Sequence, residues 1–440
     1  MARVSKPVSL ERLVALCKRR GFIFQSSAIY GGINSCWDYG PLGVELKNNV
    51  KRAWWAAMVQ GRDDVVGLDA SIIMSPEVWR ASGHVEHFTD PLVECGTCHR
   101  RFRDDELTPD GTCPVDGGAV GEARHFNLMF KTFLGPVEED AATVYLRPET
   151  AQGIFVNFLN VQKSTGRRLP FGIAQIGKSF RNEISPGNFI FRSREFEQME
   201  CEYFVRAEMA LDAYEAWKQT RHRWYLELGI PEALLRLREH APDELAFYSS
   251  GTTDIEFLYP WGWGELEGVA HRGDYDLAQH SRRSGKDLSY VDDLSGDRFF
   301  PHVIEPAAGV DRSLLAFLFA AYDEEPDKDG VRTVLRLHRS LAPYKVAVLP
   351  LSKKENLCAK AREVAALLRP LIMTTYDETA SIGKRYRRQD EIGTPLCVTI
   401  DFETLDDGAV TIRDRDTMAQ ERVPIADVAP RLHHLVQFGY

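Results

Sequence analysis

The sequence predicts a protein of mixed helices and strands, built from two or three domains and ending in an α/β domain. Its 440 residues are too many for one simple hydrophobic core. Helical and strand patterns are mixed through the first 340 residues. From about residue 341 strand, helix and strand alternate, which is typical of a separate α/β domain. We therefore expect one domain over residues 1–340 and a second over 341–440.

The composition is that of an ordinary globular protein, with 44% hydrophobic and 27% charged residues. The formal net charge of −10 argues against a protein that simply coats nucleic acid, although local basic patches stay compatible with a nucleic-acid partner. No apolar run reaches the length of a membrane span, and the N-terminal stretch has no apolar signal region. Eight cysteines are too few for a disulfide scaffold. We expect a cytoplasmic protein without membrane attachment.

Helices are predicted at several places in the first domain. Ser9 is suited to cap a helix that runs to about Arg20. The spacing of apolar residues predicts further helices over roughly 42–60 and from about residue 150. Two insertions are predicted, over residues 88–125 and 206–250, and the second is expected to be mainly helical.

The stretch FRNEISPGNFIFRSREFEQMECEYF, from Phe180 to Phe204, is predicted to form two β-strands joined by a turn at SPGN. Side chains alternate between the two faces of a strand. One face of the second strand would then carry Arg192, Arg194, Phe196, Gln198, Glu200 and Glu202. A hairpin with one solvated face is the simplest interpretation. It is disfavoured because the opposite face is also charged, and because the polar face alternates in sign and is interrupted by an aromatic ring.

Such a face suits an extended substrate that has a phosphate, an aromatic ring and a cation. Arginine pairs bidentately with phosphate oxygens, and the Phe196 ring offers a platform for a flat base. Phe196 and Glu200 are four residues apart, or about 13 Å along a strand at ~3.3 Å per residue. That separation is on the scale of a mononucleotide with a small group attached, so Glu200 is a candidate to bind an amine.

Two further segments add charged groups at the ends of elements. Glu149, in RPET, lies at a predicted strand-to-helix junction, where its default role is to complement the helix dipole. Glu305 lies at the end of a strand in EPAAGVDR. Arg312 follows Gly309 in the first turn of an almost wholly apolar helix, and a cation there opposes the helix dipole. Arg312 therefore needs an anionic partner, which favours a functional role.

These segments resemble the signature motifs of class II aminoacyl-tRNA synthetases. FRNEISPGNFIFRSREFEQMECEYF is similar to motif 2 of that family and VIEPAAGVDRSLLAFL to motif 3. YGGINSCWDYGPLGVELKNNVKRAWW, LRPETAQGIFVNF and WGELEGVAHRGDYDL resemble segments of glycyl-tRNA synthetases of the homodimeric type. The likeness covers nearly the whole chain. It implies an α+β catalytic domain with an antiparallel sheet flanked by helices, a C-terminal α/β anticodon-binding domain, and a homodimer with the 42–60 helix near its interface.

The resemblance also implies a reaction in two steps. The glycine carboxylate attacks the α-phosphate of ATP to give glycyl-adenylate and pyrophosphate, and the terminal ribose hydroxyl of tRNA(Gly) then attacks the adenylate. Positioning and electrostatic stabilisation carry such a reaction. The family further implies Mg²⁺ bound with ATP near Glu265 and Glu305, since hard carboxylates suit that ion.

Site residues are implied wherever this chain matches the motifs. Arg181 and Arg312 are the implied catalytic residues, with Arg181 at the α-phosphate and Phe196 stacked on adenine. The implied ATP-binding residues are Arg181, Asn182, Glu183, Phe191, Arg192, Phe196, Glu265, Leu266, Glu305 and Arg312. The implied glycine-binding residues are Arg103, Glu149, Phe196, Glu200, Arg272 and Glu305. The three glutamates of this second set surround the ammonium, which is the main handle on a substrate without a side chain.

One position departs from the family pattern. Members commonly have serine two residues after the motif 3 glutamate, and this chain has Ala307. A hydroxyl contact to glycine or ATP is then missing, or a water replaces it. Because a neutral hydrogen bond contributes roughly 1 kcal/mol, weaker glycine binding is expected rather than loss of activity.

The first insertion carries an incomplete zinc-ribbon pattern. Cys95, Cys98 and Cys113 have the ribbon spacing, but Asp116 stands where a fourth cysteine is expected. Asp116 or one of two nearby histidines is a candidate for the fourth ligand. A relic without zinc, held by packing, is the alternative, because structural zinc sites are usually complete sets of Cys and His.

The segment GKRYRRQDEIGTP, residues 383–395, concentrates basic residues in the second domain. A charge run is usually a solvated face, but in a domain similar to an anticodon reader it is a candidate patch for phosphate contacts. The predicted tRNA contacts are Lys384, Arg385, Arg387 and Arg388.

Other functions are less consistent with the sequence. A non-catalytic tRNA- or DNA-binding accessory protein of the same fold would have lost the motif arginines and the pocket carboxylates, which are all present here. A class II synthetase for another amino acid, such as proline, threonine or histidine, is disfavoured by three acidic positions without an evident side-chain pocket. A P-loop enzyme is disfavoured because the chain has no G-x-x-x-x-G-K-[ST].

Overall fold

A seven-stranded sheet forms the centre of the first 340 residues in the computed structural model, which describes residues 8–184, 187–246, 249–327 and 330–438. Its strands, in spatial order, are β11 (Leu235–Glu239), β12 (Gly251–Tyr259), β13 (Gly262–Gly273), β16 (His302–Gly309), β10 (Glu195–Val205), β9 (Phe171–Phe180) and β3 (Val65–Gly67). Neighbouring strands are antiparallel except β3 and β9. The antiparallel sheet expected for the catalytic domain is therefore confirmed.

Helices cover both faces of this sheet. They are α1 (Leu10–Arg20), α2 (Pro41–Trp55), α3 (Pro76–Ala81), α4 (His84–His87), α5 (Ala151–Thr165), α6 (Ala210–Glu227), α7 (Tyr275–Ser284) and α8 (Val310–Ala321). The predicted start of α1 is confirmed, since the Ser9 side chain accepts from the Arg12 N–H, and Gly21 ends the helix at φ 75°. A π-helical segment, Ala56–Gln60, prolongs α2.

Alternation along β10 divides the apolar core into two layers. Met199, Cys201 and Tyr203 pack with α1, α2, α6 and α8 on one face. Phe204 points to the other face and packs with α5 and α7. Glu200 shares that second face, at the end of the strand where the apolar packing gives way to polar side chains. The fold therefore places charged side chains next to the apolar core.

The first predicted insertion folds as a small sheet. Its three strands have the order β5 (Arg101–Arg103), β4 (Thr89–Glu94) and β6 (Arg124–Asn127). Four two-stranded pairs complete this half of the chain: β1 (Ile23–Gln25) with β2 (Trp37–Tyr39), β7 (Lys131–Phe133) with β8 (Thr143–Tyr145), β14 (Tyr290–Val291) with β15 (Arg298–Phe299), and β17 (Tyr322–Asp327) with β18 (Gly330–Leu335).

The second predicted insertion, residues 206–250, was expected to be mainly helical. Helix α6 confirms part of this expectation, but β11 adds an edge strand to the central sheet. The segment LRLRE of β11 alternates apolar and charged residues, which is the periodicity of a strand.

The last part of the chain has its own core and its own sheet. The strands have the order β20 (Thr374–Tyr376), β19 (Val346–Pro350), β21 (Leu396–Ile400), β22 (Ala409–Asp414) and β23 (Gln420–Pro424). Strand β19 is parallel to both of its neighbours. The helices are α9 (Glu355–Leu368), α10 (Ile382–Glu391), α11 (Glu403–Asp407) and α12 (Val428–Phe438). In the part of the chain that the structure describes, no helix has the length and apolar character needed to cross a membrane.

Candidate active site

Side chains from β10, β13 and β16 open into one cavity of about 330 Å³. These strands are neighbours in the sheet, and the register puts Ala307 opposite both Glu200 and Gly268. Most of the residues predicted for ATP and glycine come together here. They are Glu149, Arg181, Glu183, Phe191, Arg192, Phe196, Glu200, Glu265, Leu266, Arg272, Glu305 and Arg312.

Two predicted site residues are not among the described residues that line the cavity. Asn182 acts through its backbone, whose N–H donates to the Leu128 carbonyl at 2.7 Å. Arg103 lies in β5 of the small sheet, with its guanidinium 3.3 Å from the Asp90 carboxylate. In this arrangement of the insertion Arg103 is not part of the cavity lining, and its contact with glycine stays a prediction.

The predicted hairpin is correct in its pairing but not in its turn. Strand β9 ends at Phe180 and β10 begins at Glu195, so a fourteen-residue connection replaces the short turn. Part of SPGN, residues 185–186, lies outside the described residues. Arg192 and Arg194 are consequently not on a strand face. Arg194 instead donates to the Asn34 and Glu183 carbonyls, at 2.9 and 3.1 Å, and braces the connection.

One end of the cavity carries Arg181 between two aromatic rings. Its guanidinium lies 5.3 Å from the Phe88 ring and 5.4 Å from the Phe196 ring. The Arg181 Nε donates to the Pro148 carbonyl at 3.0 Å. The stacking and this hydrogen bond hold the guanidinium in place, while its remaining N–H groups stay available to an anion.

Arg312 has the anionic partner that its place at the start of α8 requires. Its Nη1 lies 2.9 Å from the Glu265 carboxylate, and its Nε donates to the Phe191 carbonyl at 3.1 Å. The guanidinium also lies 4.5 Å from the Phe191 ring. The ion pair confirms the physical argument for a partner and leaves the contact with ATP as a prediction.

The opposite end of the cavity is acidic and buried. Arg272 donates through Nη1 to both Glu305 oxygens, at 2.9 and 3.0 Å, and through Nε to Asp276 at 2.8 Å. Glu149 accepts a 2.9 Å hydrogen bond from Gln152, which also donates to Asp276 at 3.0 Å. Sequence reasoning missed Asp276 and Gln152. Arg272 lies in β13 and Asp276 in α7, so the junction of two elements brings them together and no single periodicity indicates the contact.

Glu200 is 2% exposed. One carboxylate oxygen accepts from the backbone N–H of Thr150 at 2.9 Å and from its hydroxyl, and the other accepts from Gln198 at 2.7 Å. Burial, followed by the charges of Glu305 and Glu149, raises the pKa of Glu200 to about 8. This shift favours the protonated form of the Glu200 carboxyl at neutral pH.

Glu202 is a further buried acid, two residues along the same strand face. It is fully buried, and among the described residues neither of its oxygens has a hydrogen-bond partner. Burial, together with the nearby Glu305 charge, raises its pKa well above the ordinary range. A neutral carboxyl is the form that such an environment tolerates, because an unpaired buried charge is costly.

The three cysteines of the insertion lie together with Asp116. One potential ligand atom from each of the four residues lies within 4.8 Å of the others. The Cys98 and Cys113 sulfurs are 3.7 Å apart, and the Cys95 sulfur is 3.4 Å from an Asp116 oxygen.

The basic patch of the last domain is less open than the sequence indicated. Arg385 is 1% exposed, and its guanidinium donates to the carbonyls of Pro350 and Glu378. The side chain holds the start of α10, and this burial does not favour the predicted contact of Arg385 with tRNA, which stays a prediction. Arg387 pairs with Asp327, Arg388 pairs with Asp377, and Lys384 is exposed.

An antiparallel sheet bearing these arginines and carboxylates, joined to an α/β domain, is the architecture of a class II aminoacyl-tRNA synthetase. Residues 345–435 match the family described as Anticodon binding domain. Over nearly the whole chain, the sequence is similar to curated glycine–tRNA ligases. The chain belongs to the glycine–tRNA ligase family and is an enzyme.

Three relatives illustrate the extent of this similarity. The glycine–tRNA ligase of Thermobifida fusca is 55% identical, over 96% of this chain and 97% of the relative. That of Clostridium perfringens is 53% identical, over 98% and 99% of the two chains. That of Geobacillus thermodenitrificans is 53% identical, over 98% of each chain. Such coverage does not favour an accessory protein or a synthetase for another amino acid.

Proposed function

We propose that the cavity activates glycine with ATP and then transfers glycine to the terminal ribose of tRNA(Gly). The observation that carries this proposal is the pair of opposite charges that line the cavity. The stacked guanidinium of Arg181 and the buried carboxyl groups of Glu149, Glu200 and Glu305 line the same cavity. A phosphate suits the guanidinium, and an ammonium suits the carboxylates.

At the cationic end, Arg181 would contact the α-phosphate and stabilise the charge that develops there as the glycine carboxylate attacks. Phe196, already stacked on Arg181, would support the adenine ring on its free side. Arg312 is tethered to Glu265 before ATP binds. Its guanidinium is thus pre-oriented at the start of α8, where a phosphate would also benefit from the helix dipole.

At the acidic end, Glu149 and Glu200 would receive the glycine ammonium. Glu305 is held through both oxygens by Arg272, so it contributes charge to the site more than a free lone pair. Larger amino acids would be excluded by steric clash with the cavity lining beside Glu200 and Ala307, which pair across β10 and β16.

Magnesium would enter with the triphosphate. The donor chemistry fits at Glu265, whose side chain is 48% exposed and offers hard carboxylate oxygens. Glu305 fits less well because Arg272 occupies both of its oxygens. When bound, Mg²⁺ would offset the negative charge of the phosphates. We therefore favour Glu265 as the protein group nearest that ion.

We also propose that the cysteine cluster binds zinc through three sulfurs and one Asp116 oxygen. Tetrahedral zinc with Zn–S bonds of about 2.3 Å sets sulfurs roughly 3.8 Å apart, close to the Cys98–Cys113 separation of 3.7 Å. Backbone N–H groups of Thr97 and Cys98 approach the Cys95 sulfur at 3.4 and 3.5 Å, which favours a thiolate there.

Metal analysis of the purified protein tests the zinc site. We expect about one zinc per chain, loss of it in Cys113→Ser and Asp116→Ala, and retention in Asp116→Cys. Cys36→Ser, at a cysteine outside the cluster, is the matched control. Absence of zinc from the wild-type protein after refolding with excess metal would contradict the assignment.

A homodimer is proposed from the apolar surface around β1 and the start of α2. Ile29 is 88% exposed and Tyr30 is 87% exposed, and Ile33, Phe24 and Val44 add further exposed apolar area. Exposed apolar side chains that lie close together in sequence favour a covered surface. Light scattering should give twice the chain mass, and Ile29→Asp with Tyr30→Asp should shift the protein towards monomer. A wild-type monomer at micromolar concentration would refute the proposal.

For tRNA, we propose that Lys384 contacts phosphate and that Arg387 and Arg388 border the contact. Lys384→Glu should weaken tRNA charging and its salt dependence while sparing adenylate formation. Lys353→Glu, at another exposed lysine of the same domain, is the control. Equal losses in both reaction steps would argue for a structural defect instead.

The overall function is tested by glycine-dependent exchange of pyrophosphate into ATP, with alanine, serine and proline as controls. Exchange with glycine alone is the expected result. Glu200→Gln should raise the glycine KM far more than the ATP KM. Equal changes in the two constants would refute the role of Glu200 at the ammonium.

A further inference from the structure

The short segment of residues 82–88, which joins α3 to β4, inserts one histidine beside the acidic end of the cavity. The His84 side chain is 9% exposed, and its Nε2 lies 3.3 Å from the Glu149 Oε2. Its Nδ1 lies 2.8 Å from the Ser82 hydroxyl. With hydrogen on Nε2, the ring donates to Glu149, while Nδ1 shares a hydrogen bond with the Ser82 hydroxyl, which also lies 3.3 Å from the Trp79 carbonyl.

His84 completes the support of the Glu149 carboxylate. Gln152 donates to Oε1 at 2.9 Å, and His84 approaches Oε2, so each oxygen has a protein partner among the described residues. Burial alone would raise the pKa of Glu149, but His84, and then Arg272 and Gln152, outweigh burial and lower it. A carboxylate has about four lone-pair sites, so roughly two stay available to a substrate N–H donor.

The histidine is itself fixed from several directions. The Asn127 side chain, at the end of β6, donates to the His84 and Val85 carbonyls at 3.1 and 3.0 Å. The Trp79 and Phe88 rings each lie 5.5 Å from the imidazole. Phe88 is the same ring that stacks on the guanidinium of Arg181. The segment therefore contacts the supports of both ends of the cavity.

From these contacts we propose that His84 is a positioning residue for the amino-acid substrate. It fixes the orientation of ionised Glu149, so that the free lone pairs of that carboxylate face the ammonium of glycine. The proposal rests on the proposed role of Glu149 at the ammonium. Because His84 touches Glu149 directly and reaches Arg181 only through the Phe88 ring, its loss should act mainly on amino-acid binding.

The test compares three variants in glycine-dependent pyrophosphate exchange. His84→Ala should raise the glycine KM about tenfold, the change that accompanies loss of a hydrogen bond to a charged group, and should leave the ATP KM within about twofold. His84→Gln keeps an N–H donor near the Nε2 position and should recover at least half of that change on a logarithmic scale. His87→Ala, on the same helix but with a side chain that is 60% exposed, is the matched control and should behave as wild type.

Glu149→Gln, measured alongside, separates the two levels of the proposal. If Glu149→Gln raises the glycine KM and His84→Ala does not, or if His84→Ala raises both KM values equally, the role of His84 is overturned. If Glu149→Gln leaves the glycine KM unchanged, the ammonium assignment itself fails. If the His84→Ala protein does not fold, the His84→Gln variant decides. A small rise in its glycine KM alone would support the proposal. An unchanged glycine KM together with a raised ATP KM would overturn it.

Discussion

Glu149 and Glu200 line the same cavity, but their environments shift their pKa values in opposite directions. His84, Arg272 and Gln152 keep Glu149 ionised against the effect of burial. Burial and two neighbouring carboxylates keep a proton on Glu200. With Glu149 ionised and Glu200 protonated, two unpaired negative charges do not lie side by side. An ammonium between them favours the ionised form of Glu200, so glycine binding should release a proton.

This linkage predicts that the glycine KM depends on pH. Below the Glu200 pKa of about 8, glycine must displace a proton, and each pH unit of acidification should raise the glycine KM by up to about tenfold. Above pH 8 the dependence should level off. Exchange kinetics between pH 6 and 9 measure the effect, with Glu200→Gln as the control that should flatten it. A wild-type glycine KM that is constant from pH 6 to 8 would contradict the protonated state of Glu200.

Ala307 offers a second test at the level of one residue. It lines the cavity opposite Glu200. Ala307→Ser adds a hydroxyl worth roughly 1 kcal/mol if it meets a polar partner, so the glycine KM should fall about fivefold. Ala308 also lines the cavity but belongs to the apolar core, so Ala308→Ser should give no such gain. A higher glycine KM in Ala307→Ser would mean that the site was built around alanine.

Helices and strands whose apolar residues recur at a regular spacing were predictable from the sequence. Segments whose conformation depends on contacts with residues distant in sequence were not. The capped helix α1 and the apolar helix α8 follow from local signals. The long connection between β9 and β10 does not, because Arg194 is held by carbonyls of the segment before α2, far away in sequence. The burial of Arg385 could not be predicted for the same reason, because only tertiary structure distinguishes a buried arginine from an exposed one.

Helix α6 is attached to the central sheet through a buried ion pair that local patterns do not reveal. Arg221 is 1% exposed and Glu267 is 0% exposed, with Nε and Oε1 2.6 Å apart. Arg221→Leu leaves the Glu267 charge buried and unpaired, so we expect a loss of about 3–5 kcal/mol in the free energy of unfolding. Arg221→Leu combined with Glu267→Met should recover most of it. Arg223→Leu, on the exposed side of the same helix, serves as the control in thermal and denaturant melts.

The catalytic domain and the last domain contact each other at a junction that includes β18, α2 and α10. Asp390, at the end of α10, is fully buried and accepts from Arg332 of β18 at 2.9 Å and from Arg413 of β22 at 3.1 Å. Asn49 of α2 donates to the Leu341 and Ala342 carbonyls in the connecting segment. These contacts join the anticodon-binding domain to the catalytic domain, and Arg387 of α10 adds a further one through its ion pair with Asp327.

Loosening this junction should therefore separate the two steps of the reaction. Asp390→Asn removes the charge that Arg332 and Arg413 share, and a misplacement of bound tRNA by ~1 Å can lower a transfer rate about a hundredfold. We expect kcat/KM for tRNA charging to fall about tenfold or more, while glycine-dependent pyrophosphate exchange, which needs only the catalytic cavity, stays within about twofold. Asp427→Asn, at an exposed aspartate of the same domain, is the matched control. Equal losses of exchange and charging would show that the junction supports the catalytic sheet itself rather than the orientation of the tRNA.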